Sequence, residues 1–473
     1  MCFTGKEGIP MEEKELELQL LDMLKNRQLK KLRSVLDTLE PADIAEMMEN
    51  LYDDDEIGED DLPRMFRVLP KDLAADTFIE MNPDMQEVLI KAFTDKELHQ
   101  VMDDMFVDDM VDVIEEMPAN VVSRMLKAVD NETRRNINTI LNYPEDSAGS
   151  IMTIEYIDLN SDMTVKDAFD KIRKEGEDKE TINVCYVTEN KKLVGLVSIR
   201  DLLLNPYEAR IGDIMEEDVI SVMTTDDREE VANALSKYDY TALPVVDKEN
   251  RLVGIVTVDD AIDVLTEEAT EDIEKMAAIT PSEHPYLRSS VFEIWKQRIP
   301  WLMLLMISAT FTGMIITKFE DALSVHVALT AFIPMLMDTG GNTGSQASVT
   351  IIRGISLGDI EFSDILAVIW KEFRVSILCG LSLAVVGFGK IMLVDRLLMG
   401  NTSISVIVAA VVSISLVFTI MIAKFVGCTL PLFAKKLGFD PAVMASPFIT
   451  TIVDALSLLI YMNVAVLLLH INV

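Results

Sequence analysis

Apolar positions follow three different patterns along this chain of 473 residues. In the first pattern, over residues 11–140, apolar side chains recur every three or four positions. Prolines stand at or near the start of three such segments, LEPADIAEMMENL (39–51), LPKDLAADTFIEM (69–81) and MPANVVSRMLKAV (117–129). This spacing is that of amphipathic helices, and proline is favoured in their first turn. We therefore predict an α-solenoid-like stack of short helices over 11–140.

The second pattern is an internal repeat. The segments LVGLVSIRDLL (193–203) and LVGIVTVDDAI (252–262) align without gaps, and AGSIMT (148–153) is similar to IGDIMEE (211–217). Each copy predicts two strands around a glycine turn, followed by a helix. A repeat of this length indicates a duplicated α/β domain, with copies over 141–205 and 206–265.

The duplication resembles a tandem CBS pair, a fold that commonly binds ATP or another adenine nucleotide between its copies. The resemblance implies a ribose-binding [ST]-x-x-D motif from Ser198 to Asp201, with Arg200 and Tyr240 as further candidate contacts. The motif recurs as TVDD at 257–260. The same residues also suit helix capping, because Ser or Thr commonly precedes a helix. Both interpretations stay open at this point.

The third pattern is a series of long apolar segments after residue 286. Segments 299–317, 375–394, 397–423 and 441–469 carry at most one charge each, and each is long enough to span a bilayer. Segment 327–352 contains Asp338 and the run TGGNTGSQAS (339–348), yet it has apolar flanks. We predict a polytopic α-helical membrane domain over 286–473 with five helices, of which 327–352 is the second.

Charge divides the chain at the same place. Residues 1–285 carry 68 Asp and Glu against 30 Lys and Arg, whereas residues 286–473 carry 11 against 12. So acidic a surface repels phosphate, which argues against a nucleic-acid partner. The N-terminal residues show no signal-peptide pattern, so we expect the acidic half in the cytosol. Basic residues between the spans, among them Arg353, Lys371 and Lys435, then favour the cytosolic side, and five spans place the C-terminus outside.

Polar side chains interrupt the second predicted span. The glycines at 340, 341 and 344 suit close helix packing. Asn342, Thr343 and Gln346 instead need hydrogen-bonding partners or water at this depth. We interpret these three residues, with Asp338 just before them, as the lining of a polar pathway.

A single carboxylate, Asp454, lies within the last apolar segment, with no Lys, Arg or His near it in sequence. An acid at bilayer depth is costly and commonly functional. It can be a structural acid satisfied by the hydroxyls of Thr450 and Thr451, a proton relay or a cation site. One carboxylate among oxygen groups suits Mg²⁺, which keeps several of its waters.

Carboxylates crowd the segments 101–116 and 258–275. On a helix, Asp260, Asp263 and Glu271 share one face. This face is either a solvated acidic surface or one where like charges repel until a divalent cation binds between them. Its place directly before the first span favours the second interpretation, with an acidic connecting helix over 266–285.

These features together resemble the MgtE family of Mg²⁺ channels and transporters over essentially the whole chain. The most specific matches are PEDSAGSIMT (144–153), TGGNTGSQAS (339–348) and DPAVMASPFITTIVDALSLLIY (440–461). The resemblance implies a homodimer with a pore along the subunit interface. Its central ion-binding acid is Asp454, with further oxygens from Ser446 and Thr450.

The resemblance also implies cytosolic Mg²⁺ sensor sites that hold the pore shut. The matching carboxylates are Asp104, Asp108, Asp227, Glu229, Asp239, Asp259, Asp260, Asp263, Glu268, Glu271, Asp272 and Asp440.

The sequence thus predicts a Mg²⁺-selective channel or transporter of the cell membrane, not an enzyme, closed by cytosolic Mg²⁺ through negative feedback. A transporter or exchanger for another divalent cation such as Co²⁺ or Zn²⁺ is the alternative, because a hydrated octahedral site also accepts similar ions. An intramembrane aspartyl protease using Asp338 and Asp454 is disfavoured, because the chain has no GxGD motif.

Overall fold

The computed structural model describes residues 3–4, 10–11, 13–53, 56–282, 286, 289–444 and 446–470, without the side chains of residues 3, 4, 10, 11, 13, 72, 321 and 446. Contacts divide the chain into two units, Met1–Leu265 and Thr266–Val473. Each unit is described by itself below.

The first unit begins with a stack of short helices, preceded by a small antiparallel pair of strands. The strands are β1 (Phe3–Thr4) and β2 (Pro10–Met11). The helices are α1 (Glu13–Lys25), α2 (Leu29–Leu36), α3 (Pro41–Asp53), α4 (Leu62–Phe66), α5 (Lys71–Ile79), α6 (Pro83–Ala92), α7 (Asp95–Asp103), α8 (Val107–Glu115), α9 (Ala119–Ala128) and α10 (Asn131–Ile140). The predicted helical N-terminal domain is confirmed.

Local chemistry explains where these helices start. Pro41 is the first residue of α3, and Pro70 and Pro118 directly precede α5 and α9. Asn82 caps α6 through a hydrogen bond from the Met85 amide. The apolar sides of the helices form one continuous core, in which methionine fills irregular space, as its flexible side chain allows.

Two three-stranded sheets follow, one from each copy of the repeat. The first contains β3 (Asp158–Leu159), β4 (Val184–Glu189) and β5 (Lys192–Ser198), and the second contains β6 (Val222–Met223), β7 (Ala242–Val246) and β8 (Leu252–Thr257). In both, the first strand pairs parallel with the second, and the second pairs antiparallel with the third. The accompanying helices are α11 (Val165–Glu175), α12 (Ile199–Leu204), α13 (Ile211–Ile214) and α14 (Arg228–Tyr238). The duplicated α/β fold is confirmed.

The glycine of each copy lies inside a strand, so the predicted glycine turn is wrong. Residues 190–191, both with positive φ, form the turn between β4 and β5. A Cβ atom at Gly195 in β5 would lie 2.9 Å from the carbonyl oxygen of Glu216, and one at Gly254 in β8 would lie 2.7 Å from that of Thr153. The segments IMT (151–153) and IME (214–216) therefore each pack against the last strand of the other copy. This packing explains why this part of the sequence is repeated too.

One helix, α15 (Val258–Met276), contains both the end of the second predicted CBS copy and the start of the predicted connecting helix. It ends nine residues before the predicted boundary at residue 285. The Ile279 amide donates back to the Glu274 carbonyl, and Ala278 has a positive φ of 55°, a helix-terminating arrangement.

The second unit consists of long helices. They are α16 (Val291–Lys318), α17 (Glu320–Val325), α18 (Ile333–Ser356), α19 (Ile365–Lys390), α20 (Val406–Lys436) and α21 (Ser446–Leu469). Among the described residues, four stretches are long and apolar enough to cross a membrane, namely Val291–Lys318, Phe362–Leu398, Val406–Lys436 and Pro441–Leu469. Helix α18, 24 residues long, corresponds to the predicted second span but is not one of these four stretches, so the count of five spans stays a prediction.

The connection between the third and fourth spans lies later than predicted. The sequence placed it at 395–396, whereas α19 continues as a π-helix, Ile391–Leu398, and α20 starts only at Val406. Gly400 adopts a φ of +68°, and the Ser405 hydroxyl caps α20 by accepting from the Val408 amide. The turn is therefore fixed by glycine and a cap, which outweigh the apolar run at 397–399.

Candidate ion pathway and cytosolic acidic sites

Helix α18 presents its glycines to the helix bundle. A Cβ atom at Gly340 would lie 2.7 Å from the Ser457 hydroxyl oxygen, and one at Gly344 would lie 2.9 Å from the Ile449 side chain, both on α21. The glycines therefore let α18 and α21 approach closely, as small residues do between membrane helices.

A different face of α18 is polar and exposed. Asp338, Asn342 and Gln346 follow one another at intervals of four residues, and the Asn342 amide donates to Asp338 Oδ1 at 3.2 Å. Thr343 does not share this face. It is 7% exposed, and its hydroxyl donates to the Thr339 carbonyl at 2.6 Å. The prediction that Thr343 faces water is therefore not supported within this chain, because one residue step turns the side chain by about 100°.

Asp454 is the ninth residue of α21 and is half-buried. Its Oδ1 atom is buried and accepts no hydrogen bond from any residue that the structure describes. Asp338 is close enough to act on it electrostatically. A buried carboxylate oxygen without a donor is costly, and a bound cation would offset this cost.

Thr450 and Ser446 are the residues whose hydroxyls are predicted to lie near Asp454. Thr450 lies one helical turn before Asp454, and its Cγ2 atom would lie 2.8 Å from a Cβ atom at Gly341. Ser446 begins α21, and its side chain lies outside the described atoms. Within the described residues, no three His, Cys, Asp or Glu side chains lie close enough to hold one metal ion. A single chain thus offers one carboxylate, which suits an ion that keeps its waters.

In the first unit, α8, α15 and two loops bring acidic side chains together. We call this set the acidic cluster: Asp108, Asp109, Glu155, Glu180, Asp259 and Asp260. Asp108 is 7% exposed, and its Oδ1 atom has no hydrogen-bond partner within the described part of the chain. Burial, followed by repulsion from Asp109, Asp260 and other acids, raises the pKa of Asp108 well above its ordinary value.

Three other carboxyl groups of the acidic cluster also have raised pKa values. Burial and neighbouring carboxylates raise the pKa of Asp109 and of Glu180 to about 7. Burial raises the pKa of Asp260 to about 6, although the Thr257 hydroxyl, which donates to Asp260 at 2.6 Å, opposes the shift. The cluster is therefore electrostatically strained when fully ionised.

Sequence reasoning found only part of this cluster. It named Asp108, Asp259 and Asp260 but missed Asp109, Glu155 and Glu180. Asp109 stands in the acidic run 103–109, which could have drawn attention to it. The two glutamates are 25 residues apart along the chain, and only the fold brings them to α8 and α15.

The remaining predicted sensor residues of this unit differ in their surroundings. Asp263 lies close to the acidic cluster, since it helps raise the pKa of Asp260, and burial and then Asp259 raise its own pKa. It also acts on Glu80, a residue that sequence reasoning missed, whose pKa is raised by burial and then by Asp263. Asp104 is exposed and pairs with Lys71 at 3.1 Å. It already has a cationic partner, so the structure does not bring it to the cluster.

The predicted sensor residues of α14 mark the ends of that helix. Asp227 is the N-cap and accepts from the Glu229 amide at 2.9 Å, whereas Asp239 is the C-cap with a left-handed φ of 54°. At 1.5 Å per residue the two caps lie roughly 18 Å apart, too far to share an ion. Asp227 therefore caps the start of α14, and Asp239 ends it.

In the second unit, a lysine joins two predicted sensor carboxylates. Lys275 Nζ lies 2.5 Å from Glu271 Oε1 and 2.8 Å from Asp440 Oδ2. Burial lowers the pKa of Lys275, but hydrogen bonds to both acids outweigh this and raise it to about 12. Asp272, also on α15, accepts from the Ser356 hydroxyl at 3.0 Å. Glu268 lies on the same helix.

The candidate ribose motif is a helix cap in this structure. The Ser198 hydroxyl accepts from the Asp201 amide at 3.1 Å, and the Asp201 carboxylate accepts from the Ser198 amide at 3.2 Å, a complete capping box. Arg200 is exposed, and Tyr240 stacks on Tyr238 with ring centroids 5.7 Å apart.

Sequence reasoning also missed an ion pair between membrane helices. Lys424 of α20, 8% exposed, lies 2.9 Å from Glu372 of α19, 16% exposed. Each charge is tolerated at this depth because it is paired. Lys424 lies just beyond the charge-free segment 397–423, so no apolar window signalled it.

The comparisons with known proteins agree with this architecture. Family models match three parts of the chain: a divalent cation transporter model at 333–464, an MgtE intracellular N domain at 39–146, and CBS domains at 148–207 and 211–267. The fold, the membrane helices and these family models thus define a divalent cation transporter with an MgtE-type N domain and a CBS pair.

A "Magnesium transporter MgtE" of Thermus thermophilus is 36% identical over 465 residues, covering 97% of this chain and 100% of that protein. The chain belongs to the MgtE family. The crystal structure of the soluble part of a magnesium transporter is 31% identical, covers 55% of this chain and 100% of its own, and has a TM-score of 0.50. The crystal structure of the cytosolic domain of the Mg²⁺ channel MgtE in complex with ATP is 34% identical and has a TM-score of 0.49. The match covers 52% of this chain and 99% of that structure.

Proposed function

We propose that this protein conducts Mg²⁺ across the cell membrane and that Asp454 binds the ion in its pathway. The observation that carries the proposal is the buried Oδ1 atom of Asp454, which has no hydrogen-bond donor among the described residues. A hydrated Mg²⁺ ion, held through its waters, matches a site with one carboxylate per chain. Membership in a family of divalent cation transporters supports this assignment.

We propose further that two copies form the pathway between them. The exposed face of α18 carries Asp338, Asn342 and Gln346 within the membrane half, and polar groups cannot face lipid at this depth without cost. A second copy would enclose this face in water and bring a second Asp454 to the axis. In this arrangement the N-terminal half is cytosolic and the C-terminus is outside.

The test of conduction is Mg²⁺ flux into liposomes that contain the purified full chain. Asp454→Ala and the isosteric Asp454→Asn are expected to lower the flux at least tenfold, because both remove the charge that attracts the cation. Asp359→Asn, an exposed acid in the turn after α18, is the matched control and should leave flux unchanged. Wild-type flux in both Asp454 variants would remove this residue from the mechanism, and faster flux of Co²⁺ or Zn²⁺ than of Mg²⁺ would favour the alternative substrate.

Negative feedback by cytosolic Mg²⁺ is the regulatory part of the proposal. The acidic cluster has the chemistry of a divalent site, because a buried, unpartnered oxygen of Asp108 is surrounded by carboxylates of other elements. No three of these described carboxylates lie close enough to hold one ion directly, so a hydrated Mg²⁺ ion would bridge them through its waters and turn repulsion into attraction. Several such ions can shift gating strongly, since about 5.5 kcal/mol moves an equilibrium from 1:99 to 99:1.

Patch recordings of the reconstituted channel test this regulation. Asp109→Asn with Asp260→Asn should leave the channel open at cytosolic Mg²⁺ concentrations that close the wild type. Asp84→Asn, an exposed acid at the start of α6, serves as control for added neutralisation. Closure of the double variant at the wild-type concentration would refute the assignment of the acidic cluster as a sensor.

We also propose that the CBS pair binds an adenine nucleotide beside the Ser198 to Asp201 turn. The support is the CBS family match together with the exposed Arg200, which takes no part in the capping box. Arg200→Gln therefore probes binding without removing the cap. Calorimetric titration with ATP should show weaker binding in this variant and unchanged binding in Arg173→Gln, an exposed arginine of α11. Equal affinities would leave the motif with its capping role alone.

A further inference from the structure

An apolar groove lies between α19 and α20 on the outside of the second unit. Ile369 and Trp370 line it from α19, and Met421 and Phe425 line it from α20. Its volume is about 380 Å³, within the range of roughly 300–1,000 Å³ typical of ligand pockets. Trp370 is 59% exposed and Phe425 is 52% exposed, so within this chain both aromatic rings of the groove are accessible from outside.

The floor of the groove carries no net charge. Glu372 is the acid among the lining residues, and its carboxylate is paired with the buried Lys424 at 2.9 Å. This pairing leaves an apolar channel between two helices that are long and apolar enough to cross a membrane. An acyl chain is the occupant that matches such a surface without leaving polar groups unsatisfied.

A basic side chain, that of Arg374, lies beside the groove. The Arg374 guanidinium lies over the Trp370 ring, 5.7 Å from its centroid, and Trp370 in turn stacks on Phe373 at 5.8 Å. Arg374 is exposed, and so is Lys371, three residues earlier on the same helix. Aromatic rings with basic side chains are typical of the level of lipid headgroups, and basic pockets between membrane helices on the cytosolic side bind anionic headgroups.

We propose that this groove is a binding site for one anionic phospholipid. Arg374 holds its headgroup beside Trp370, and its acyl chain runs from there between α19 and α20 towards the bilayer interior, past Phe373 and Met421. Placement in the cytosolic leaflet rests on the orientation proposed above. Binding at the groove does not depend on that orientation or on ion conduction, so the two proposals can fail separately.

Fluorescence of Trp370 gives a direct test, because the chain has only three tryptophans, at 295, 301 and 370. The full chain with Trp295→Phe and Trp301→Phe is reconstituted in phosphatidylcholine bilayers. Brominated phosphatidylglycerol or brominated phosphatidylcholine is added to equal mole fractions, since bromine quenches a tryptophan that it contacts. The proposal expects the anionic lipid to reach half-maximal quenching at a mole fraction about fivefold lower, as one basic contact provides.

Arg374→Gln should abolish this preference while Trp370 stays quenched, and the matched control Arg396→Gln, an exposed arginine at the other end of the span, should retain it. An unchanged elution volume and melting temperature of both variants in detergent would show that they are folded, independently of ion conduction. Equal quenching by the two lipids in the starting protein would overturn the headgroup assignment. Absence of quenching by either would show that another occupant, such as a helix of a second copy, fills the groove.

Discussion

Lys275 Nζ lies 2.8 Å from Asp440 Oδ2, so an ion pair joins α15 to the segment that precedes the last span. The same ammonium lies 2.5 Å from Glu271. Both carboxylates are predicted Mg²⁺ sensor ligands. Lys275 therefore occupies, with a tethered single charge, the position between them that a divalent cation would take.

This arrangement predicts that Lys275 opposes Mg²⁺ binding at these acids. In Lys275→Met, Glu271 and Asp440 repel each other and bind Mg²⁺ more tightly. Channel closure in patch recordings should then occur at a several-fold lower cytosolic Mg²⁺ concentration, with higher open probability when Mg²⁺ is absent. Lys275→Arg keeps the charge and should behave as the wild type. An unchanged Mg²⁺ response in Lys275→Met would contradict the prediction.

The acidic cluster predicts a pH dependence of stability in the absence of divalent cations. The pKa values of Asp109 and Glu180 are raised to about 7 and that of Asp260 to about 6, so the folded state binds more protons than the unfolded chain between about pH 4 and pH 7. Stability should therefore rise as pH falls from 8 to 5.5, opposite to a carboxylate with a lowered pKa.

Calorimetry of the full chain in EDTA measures this dependence. The melting temperature of the first unit should rise by a few degrees as the pH falls, because 1 kcal/mol corresponds to about 2–4 °C for a domain of this size. Asp109→Asn should make the melting temperature depend less on pH. Saturating Mg²⁺ should raise the melting temperature of the wild type at pH 8, because it relieves the repulsion among the ionised carboxylates. A melting temperature that rises with pH in EDTA would show that the cluster is not strained.

The helix bundle predicts that one glycine of α20 is irreplaceable. A Cβ atom at Gly427 would lie 2.2 Å from the Gly344 carbonyl oxygen of α18, a backbone contact that cannot yield by rotating a side chain. Overpacking of this kind costs about 1–3 kcal/mol or more. Gly427→Ala should lower the melting temperature of the detergent-solubilised chain, whereas Gly389→Ala in α19, where nothing lies within 4 Å, should leave it unchanged or slightly raise it. Equal melting temperatures would refute this packing.

The ion pair between Glu372 and Lys424 predicts a rescue experiment. Glu372→Gln leaves a buried ammonium unpaired, which costs about 3–5 kcal/mol, so the yield of folded protein on size-exclusion chromatography should fall sharply. The charge swap Glu372→Lys with Lys424→Glu should recover most of it, because the pair is restored in reverse. A swap as damaging as the single change would mean that orientation, not pairing, matters there.

Local signals account for the part of the fold that the sequence predicted. Proline at helix starts, the repeat with its order of strands and helix, and the long apolar segments all depend on neighbours within a few residues. The predicted helices and strands formed, whereas the glycine turn, the end of the connecting helix and the connection between the third and fourth spans differ from the prediction. The unusual position of Asp454 was visible for the same reason, since one charge in an apolar run needs no tertiary knowledge to be noticed.

Tertiary structure alone decided which polar groups meet. Glu155 and Glu180 join Asp108 because the CBS copies pack on the helical stack, and Thr343 turns inward because α18 packs its glycine face on α21. Lys424 finds Glu372 across 52 residues, and Lys275 finds Asp440 across 165. The sequence determined the elements, the membrane segments and the candidate acid, because these follow from local composition and periodicity. The partners of each charge follow from which faces are buried together, and that is settled only when the elements pack.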